Sequence, residues 1–145
     1  MIRLEPVGPD NWREPLAVRE DQRHFVSDGA WTLARAWAYR EYNSVAKVIY
    51  HDDEPIGMLM YYDWPEEKRY VFSQLFIDQR WQGRGFGRRA AELALDEMRA
   101  AGRYSQVVLC YVEGDEPAMR LYQSLGFVHT GEADEGEIEM LLRHL

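Results

Sequence analysis

The chain has 145 residues, 46% of them hydrophobic, with 25 acidic against 17 basic side chains and a formal net charge of −8. That is apolar material for one sizeable core, and a single domain spanning 1–145 is expected. The negative balance repels nucleic-acid phosphates and anionic lipid, so neither is an expected partner, whereas a cationic small molecule would be attracted.

In chain order, Ile2 to Val7 alternates and reads as a first strand. Pro9-Asp10 marks a turn, and Asp10 suits the cap of a helix through about Glu20, with Gln22 to Val26 as a short continuation. Ser27-Asp28-Gly29 breaks the chain before a second helix, Trp31 to Tyr42. Val45 to Tyr50 and Ile56 to Tyr62 form a hairpin across residues 51–54, and Asp63 to Glu67 is a turn containing Pro65. Tyr70 to Ile77 is the next strand. A long helix from Arg88 to Ala101 follows and is closed by Gly102. Strand Gln106 to Val112, helix Pro117 to Ser124, and strands Phe127 to Thr130 and Ile138 to Leu142 complete the chain.

The lone Cys110 excludes an internal disulfide framework and lies in an apolar run, where it is expected as a small core residue. Trp31 and Trp37 likewise read first as core. His24, His51, His129 and His144 show no ligand spacing, so no metal is expected. No secretory leader is recognised, and no apolar run approaches the roughly 18 residues of a membrane span, so a cytoplasmic location is expected.

The most informative stretch is Gln82-Gly83-Arg84-Gly85-Phe86-Gly87-Arg88, between a strand and a helix. Alternate glycines clear side chains from the turn and let backbone N–H groups approach a ligand. Those groups open a helix, whose dipole favours negative charge, and Arg84 and Arg88 add cations. The physical reading is a diphosphate cradle. A Walker loop would need Gly-Lys-Ser/Thr, and a dinucleotide fingerprint would need G-x-G-x-x-G; neither is present. The pattern Q/R-x-x-G-x-G/A does fit, as Gln82, Gly85 and Gly87. Downstream, residues 115–127 read D-E-P-A-M-R-L-Y-Q-S-L-G-F, with Ala118, Leu121, Tyr122 and Leu125 spaced as one helical face.

Together these two motifs resemble the GNAT superfamily of N-acetyltransferases: the first its acetyl-CoA loop, the second its N-x-x-A-x-x-L-Y-x-x-x-G-F signature, with Asp115 where Asn is common. The resemblance implies an α+β fold. Its sheet would be mixed, mostly antiparallel, of about seven strands with flanking helices. Two parallel strands, Tyr70–Ile77 and Gln106–Val112, would splay to admit the pantetheine arm of acetyl-CoA, the implied cosubstrate. Gln82, Gly83, Arg84, Gly85, Phe86, Gly87 and Arg88 would then hold cofactor, joined by Phe76 and Ile77, one of whose N–H groups is the implied oxyanion donor. Asp115 is expected first as a helix cap and also beside the cofactor arm. Tyr122, at the Tyr of the family's L-Y pair, is the expected general acid for the departing thiolate and a further cofactor contact.

A free alkyl ammonium has a pKa near 10.4, so its neutral form costs roughly 4–5 kcal/mol at pH 7 and a base is needed. Many relatives carry a carboxylate on the strand before the loop; here Ser73 and Gln74 stand there. Asp78, at the strand end, reads as a cap or loop residue. A water relay to a more distant group is expected, with Glu113, Tyr111 and Asp28 as candidates. Clusters at residues 52–54, 66–67, 113–116 and 132–139, with Tyr61, Tyr62, Trp64, Trp31 and Trp37 near several of them, are solvated turns or an acidic, aromatic mouth for a polycation. N-W-R-E-P-L-A-V, R-H-F-V-S-D, I-Y-H-D-D-E-P-I-G-M-L-M-Y and T-G-E-A-D-E-G-E-I resemble bacterial diamine and spermidine N-acetyltransferases, which implies a polyamine acceptor. The alternatives are another amine (a protein N-terminus, an amino acid or an aminoglycoside) or a CoA-binding module without catalysis. A homodimer is possible by the same resemblance.

Overall fold

A computed structural model describes residues 1–26 and 28–145. Seven strands form one mixed sheet: β1 (Ile2–Pro6), β2 (Val45–His51), β3 (Glu54–Trp64), β4 (Arg69–Ile77), β5 (Val107–Val112), β6 (Val128–Asp134) and β7 (Glu137–Leu142). Their spatial order is β1-β2-β3-β4-β5-β7-β6, and among the described residues only the β4–β5 pair is parallel. The α-helices are α1 (Gly29–Ala38), α2 (Phe86–Ala101) and α3 (Glu116–Ser124). No helix among the described residues is long and apolar enough to cross a membrane.

The amphipathic α2 lies on one sheet face. Ala90, Ala91 and Ala94 are fully buried, so the helix backbone can come close to the strands, and Met98 is sealed beside them. Ile49, Leu59, Tyr70, Phe72, Leu109 and Met140 complete that core. Each large apolar side chain so buried contributes about 1.5–3 kcal/mol. The shorter α1 covers the opposite face. Asp28 caps it by accepting from the Trp31 N–H at 2.9 Å, Gly29 approaches Met58, and Tyr39 at its end stacks on Tyr62 with ring centroids 4.2 Å apart.

The expected helix from Asp10 to Glu20 does not form. Residues 9–13 are turns, residues 14–19 lack regular structure, and only Glu20–Gln22 makes a 3-10 turn. Pro15 is the cause: it removes a backbone donor and turns Glu14 away from helical dihedrals. Asp63 is not in a turn but inside β3. It is buried and held by Asn43 and by both Nε and Nη2 of Arg103. Cys110 is exposed rather than core, because β5 has an open side. Trp31 and Trp37 are also exposed, at 66% and 68%; they lie on the outer side of α1.

Candidate active site

The parallel pair β4–β5 is joined only at its start. Tyr70 pairs with Val107 and Val71 with Val108, and the Tyr70 N–H donates to the Gln106 carbonyl at 3.0 Å. Beyond Val71 the strands part. A bulge marks the point of divergence: Tyr61 faces Phe72 and Met60 faces Gln74, so Ser73 has no partner in β3. The bulge also shifts the backbone phase. The Asp78 N–H donates to the Ile56 carbonyl at 2.6 Å, so by strand alternation the Phe76 N–H also turns to β3, while those of Leu75 and Ile77 face the gap. Meanwhile β5 stays paired with β7 along its whole length. The result is a wedge with unpaired strand backbone, a template for an extended amide-bearing ligand.

Two clefts meet at this wedge from opposite faces of the sheet. The first, about 520 Å³, runs along the glycine loop. Gly83 and Gly85 have φ of +76° and +80°, and a Cβ at either would point into open space. Gly85 precedes α2 without any side-chain cap, so the first N–H groups of α2 stay available. Gly87 differs: its added Cβ would lie in ordinary contact with Ile77, 3.5 Å away. Arg84 lies over the Trp81 ring, and Arg88 donates to Ser124 Oγ at 3.1 Å; both are exposed. Phe86 packs against His51, with centroids 4.6 Å apart. The Gln82 side chain does not face the opening. It is bonded to the Ile77 carbonyl and to Gln22 and Arg19.

Tyr122 stands at the inner end of this cleft, edge-on to Phe72 and Phe127 at 6.4 and 5.8 Å. Burial pushes its phenol well above the ordinary tyrosine value, and the nearby Asp115 charge adds to the rise. Asp115 caps α3 through the Ala118 N–H at 3.4 Å; burial raises its own carboxyl despite that bond and the nearby His24.

The second cleft, about 1020 Å³, opens on the α1 face. Its carboxylates are Asp28, Glu137 and Glu139, its aromatic walls include Trp31 and Tyr62, and its cations are Arg23 and Arg35. Glu139 lies directly across from Cys110, and Glu137 across from Val112, so both carboxylates share the face of the gap. Thr130 donates to Glu139 at 2.7 Å. Burial and the stacked Tyr39 push the Tyr62 phenol up to about 12. Phe76, Ser73, Gln74, Cys110 and Tyr111 line both clefts and form the passage between them.

The family model described as the acetyltransferase (GNAT) family matches residues 9–127. The chain belongs to that family. It is therefore an acetyl-CoA-dependent N-acetyltransferase. The spermine/spermidine N(1)-acetyltransferase of Bacillus subtilis is 26% identical over 152 residues, covering 99% of both chains. The mycothiol acetyltransferase of Nocardiopsis dassonvillei is 48% identical over 77 residues, which is 52% of this chain but only 19% of that protein. Among solved structures, the spermidine N-acetyltransferase from Vibrio cholerae, in complex with CoA and spermine, shares the fold. Its TM-score is 0.79 at 17% identity, covering 99% of this chain and 95% of that one.

In this acetyltransferase the expected base candidates fare unequally. Glu113 is exposed and lines neither cleft. Asp28 lines the second cleft but caps α1. The Tyr111 hydroxyl is bonded to His129 Nε2 at 2.7 Å, out toward β6. Asp78 is structural, as read: it accepts from Arg80 Nε at 2.8 Å and from the Ala17 N–H at 3.0 Å. Ser73 accepts from Arg35 at 3.1 Å. Of the acidic clusters, the one ending in Glu137 and Glu139 contributes directly to the cleft. Tyr61 and Trp64 lie elsewhere, the former donating to Glu97 and the latter stacked on Tyr42. The shared face of Glu137 and Glu139 was legible in the two-residue alternation of E-I-E-M-L. Arg35 and the Ser73 bulge had no comparable signal.

Proposed function

We propose that this acetyltransferase moves an acetyl group from acetyl-CoA to a primary amino group of a polyamine of the spermidine, spermine or diamine class, in the cytoplasm. The observation that carries the reading is the second cleft. Two carboxylates on one face of β7 and aromatic walls from Trp31 and Tyr62 suit an alkyl chain with several ammonium groups. The full-length similarity to a spermine/spermidine acetyltransferase supports it.

The open glycine loop and the unpaired N–H groups before α2 fit the diphosphate of CoA, with Gly83, Gly85, Gly87, Phe86, Arg84 and Arg88 around it. The Ile77 N–H would stabilise the carbonyl oxygen as charge develops, an effect typically worth about 3–4 kcal/mol for such a donor. Phe76 would flank the acyl group through its side chain. The amine nitrogen forms a bond to the acetyl carbon as the C–S bond breaks. Its surplus proton would leave through water toward Glu137, which faces the gap beside Val112 and has no side-chain hydrogen bond among the described residues. Tyr122, held protonated by burial, would supply a proton to the thiolate.

The test is thiol release from acetyl-CoA across an amine panel. Spermidine, spermine and putrescine should turn over with kcat/KM at least tenfold above amino acids, aminoglycosides and peptide N-termini. A preference for any of the latter would overturn the polyamine assignment.

A further inference from the structure

The segment that walls the acceptor cleft is fastened to the cofactor loop. Ala17 donates its N–H to Asp78 Oδ2 at 3.0 Å, and its carbonyl accepts from the Gln79 N–H at 2.9 Å. Farther along, Gln22 and Gln82 exchange amide hydrogen bonds of 2.9 and 3.1 Å. Arg19 Nη1 donates to Gln82 Oε1 at 2.9 Å, while the Arg19 N–H holds Gln22 Oε1 at 3.0 Å. Gln82 Nε2 also donates to the Ile77 carbonyl at 2.9 Å.

A primary amide has two N–H donors and two oxygen lone pairs. All four are used at Gln82, so its side chain cannot turn to a ligand without releasing the segment it holds. The bonds join the end of β4, the start of the glycine loop and residues 17–22. That strap leads directly into Arg23, His24, Phe25 and Val26, which line the acceptor cleft. Phe25 and Val26 line the cofactor cleft as well.

We propose that Gln82 is a positioning residue that couples the two clefts. A diphosphate seated on residues 83–88 fixes the loop; Gln82 passes that order through Gln22 and Arg19 to the strap, and the acceptor wall takes its shape. The amine then binds better after CoA than before it, and by linkage CoA binds better in the presence of amine. The inference rests on the acetyl-transfer reading of the wedge but not on which amine is the acceptor.

Hydrogen exchange of the full chain with and without CoA tests it. CoA is expected to slow exchange at residues 83–88 and, about fivefold or more, at residues 17–26. In Gln22→Leu the loop protection should remain while the strap protection disappears; Arg19→Met should lose part of it. Protection confined to 83–88 in the native chain, or equal strap protection in Gln22→Leu, would overturn the coupling while leaving CoA binding intact. Absence of protection everywhere would instead sink the acetyl-CoA reading, and the coupling with it. As a second readout, Gln22→Leu should raise the KM of the best amine about fivefold or more with kcat within about twofold. An unchanged amine KM would overturn the proposal.

Discussion

Cys110 and Glu139 stand directly opposite each other across the β5–β7 pair, and both line the second cleft. The thiol is thus accessible beside the reaction passage, yet burial and then the charges of Glu137 and Glu139 push its pKa up. A neutral thiol is a poor nucleophile. Cys110→Ala should therefore keep turnover within about threefold, which excludes an acetyl-cysteine intermediate of the kind seen in covalent catalysis. Alkylation of the native thiol should be slow at neutral pH. Glu139→Gln should speed it several-fold at fixed pH, by removing one charge that disfavours the thiolate. Loss of turnover in Cys110→Ala would place the thiol in the chemistry.

Tyr122 offers a sharper contrast between packing and chemistry. Its ring is held by Phe72 and Phe127, so Tyr122→Phe keeps the packed edge contacts and removes only the hydroxyl. kcat should fall about 10²–10⁴-fold, as expected for loss of a general acid. CoA affinity, measured by calorimetry, should stay within about twofold. Asp115→Asn keeps a residue able to cap α3 and removes a charge that raises the phenol. Its alkaline rate limit should therefore move to lower pH than in the native enzyme. A limb that stays in place would show that Asp115 does not act on the Tyr122 proton.

Much of this arrangement could be read from the chain, because its signals are local. The glycines of 83–87 and the periodic face of 118–125 encode their elements within a few residues; six of the strands lie within two residues of their expected limits, while β6 runs past the expected Thr130 to Asp134. The lost helix before Glu20 shows the opposite case. Asp10 suggested a cap, but Pro15 and the long-range bonds of Ala17 to the Asp78–Gln79 turn decide the path. The exposure of Cys110 had no local signal either, since an apolar strand reads the same whether or not its neighbour has parted from it. The bulge at Ser73 depends on register between β3 and β4, which no window of one strand contains.

Three tyrosines should govern alkaline stability. Burial raises the phenols of Tyr61, Tyr62 and Tyr122 above the ordinary value, Tyr62 to about 12. The unfolded chain loses these protons near pH 10, while the folded chain retains them. The folded state then binds more protons, so stability should fall as pH rises above about 10, by at most about 1.4 kcal/mol per pH unit for each tyrosine. Urea unfolding between about pH 8 and 11 checks this. A midpoint independent of pH across that range would contradict the burial of these hydroxyls.

The last prediction concerns how the wedge is held open. Gly57 on β3 pairs with Ile77 on β4, and a Cβ at Gly57 would collide with the Phe76 carbonyl. The clash is with backbone, which cannot rotate aside as a side chain would. Gly57→Ala must therefore displace the end of β4, the part that presents the Ile77 N–H and leads into the glycine loop. Overpacking of this kind costs about 1–3 kcal/mol. The functional loss should exceed what that destabilisation explains, because a misplaced oxyanion donor forfeits about 10²-fold or more in kcat even in molecules that remain folded. Measuring kcat well below the melting temperature separates the two effects. A variant that is less stable yet fully active at low temperature would show that the Ile77 backbone is not part of the reacting centre.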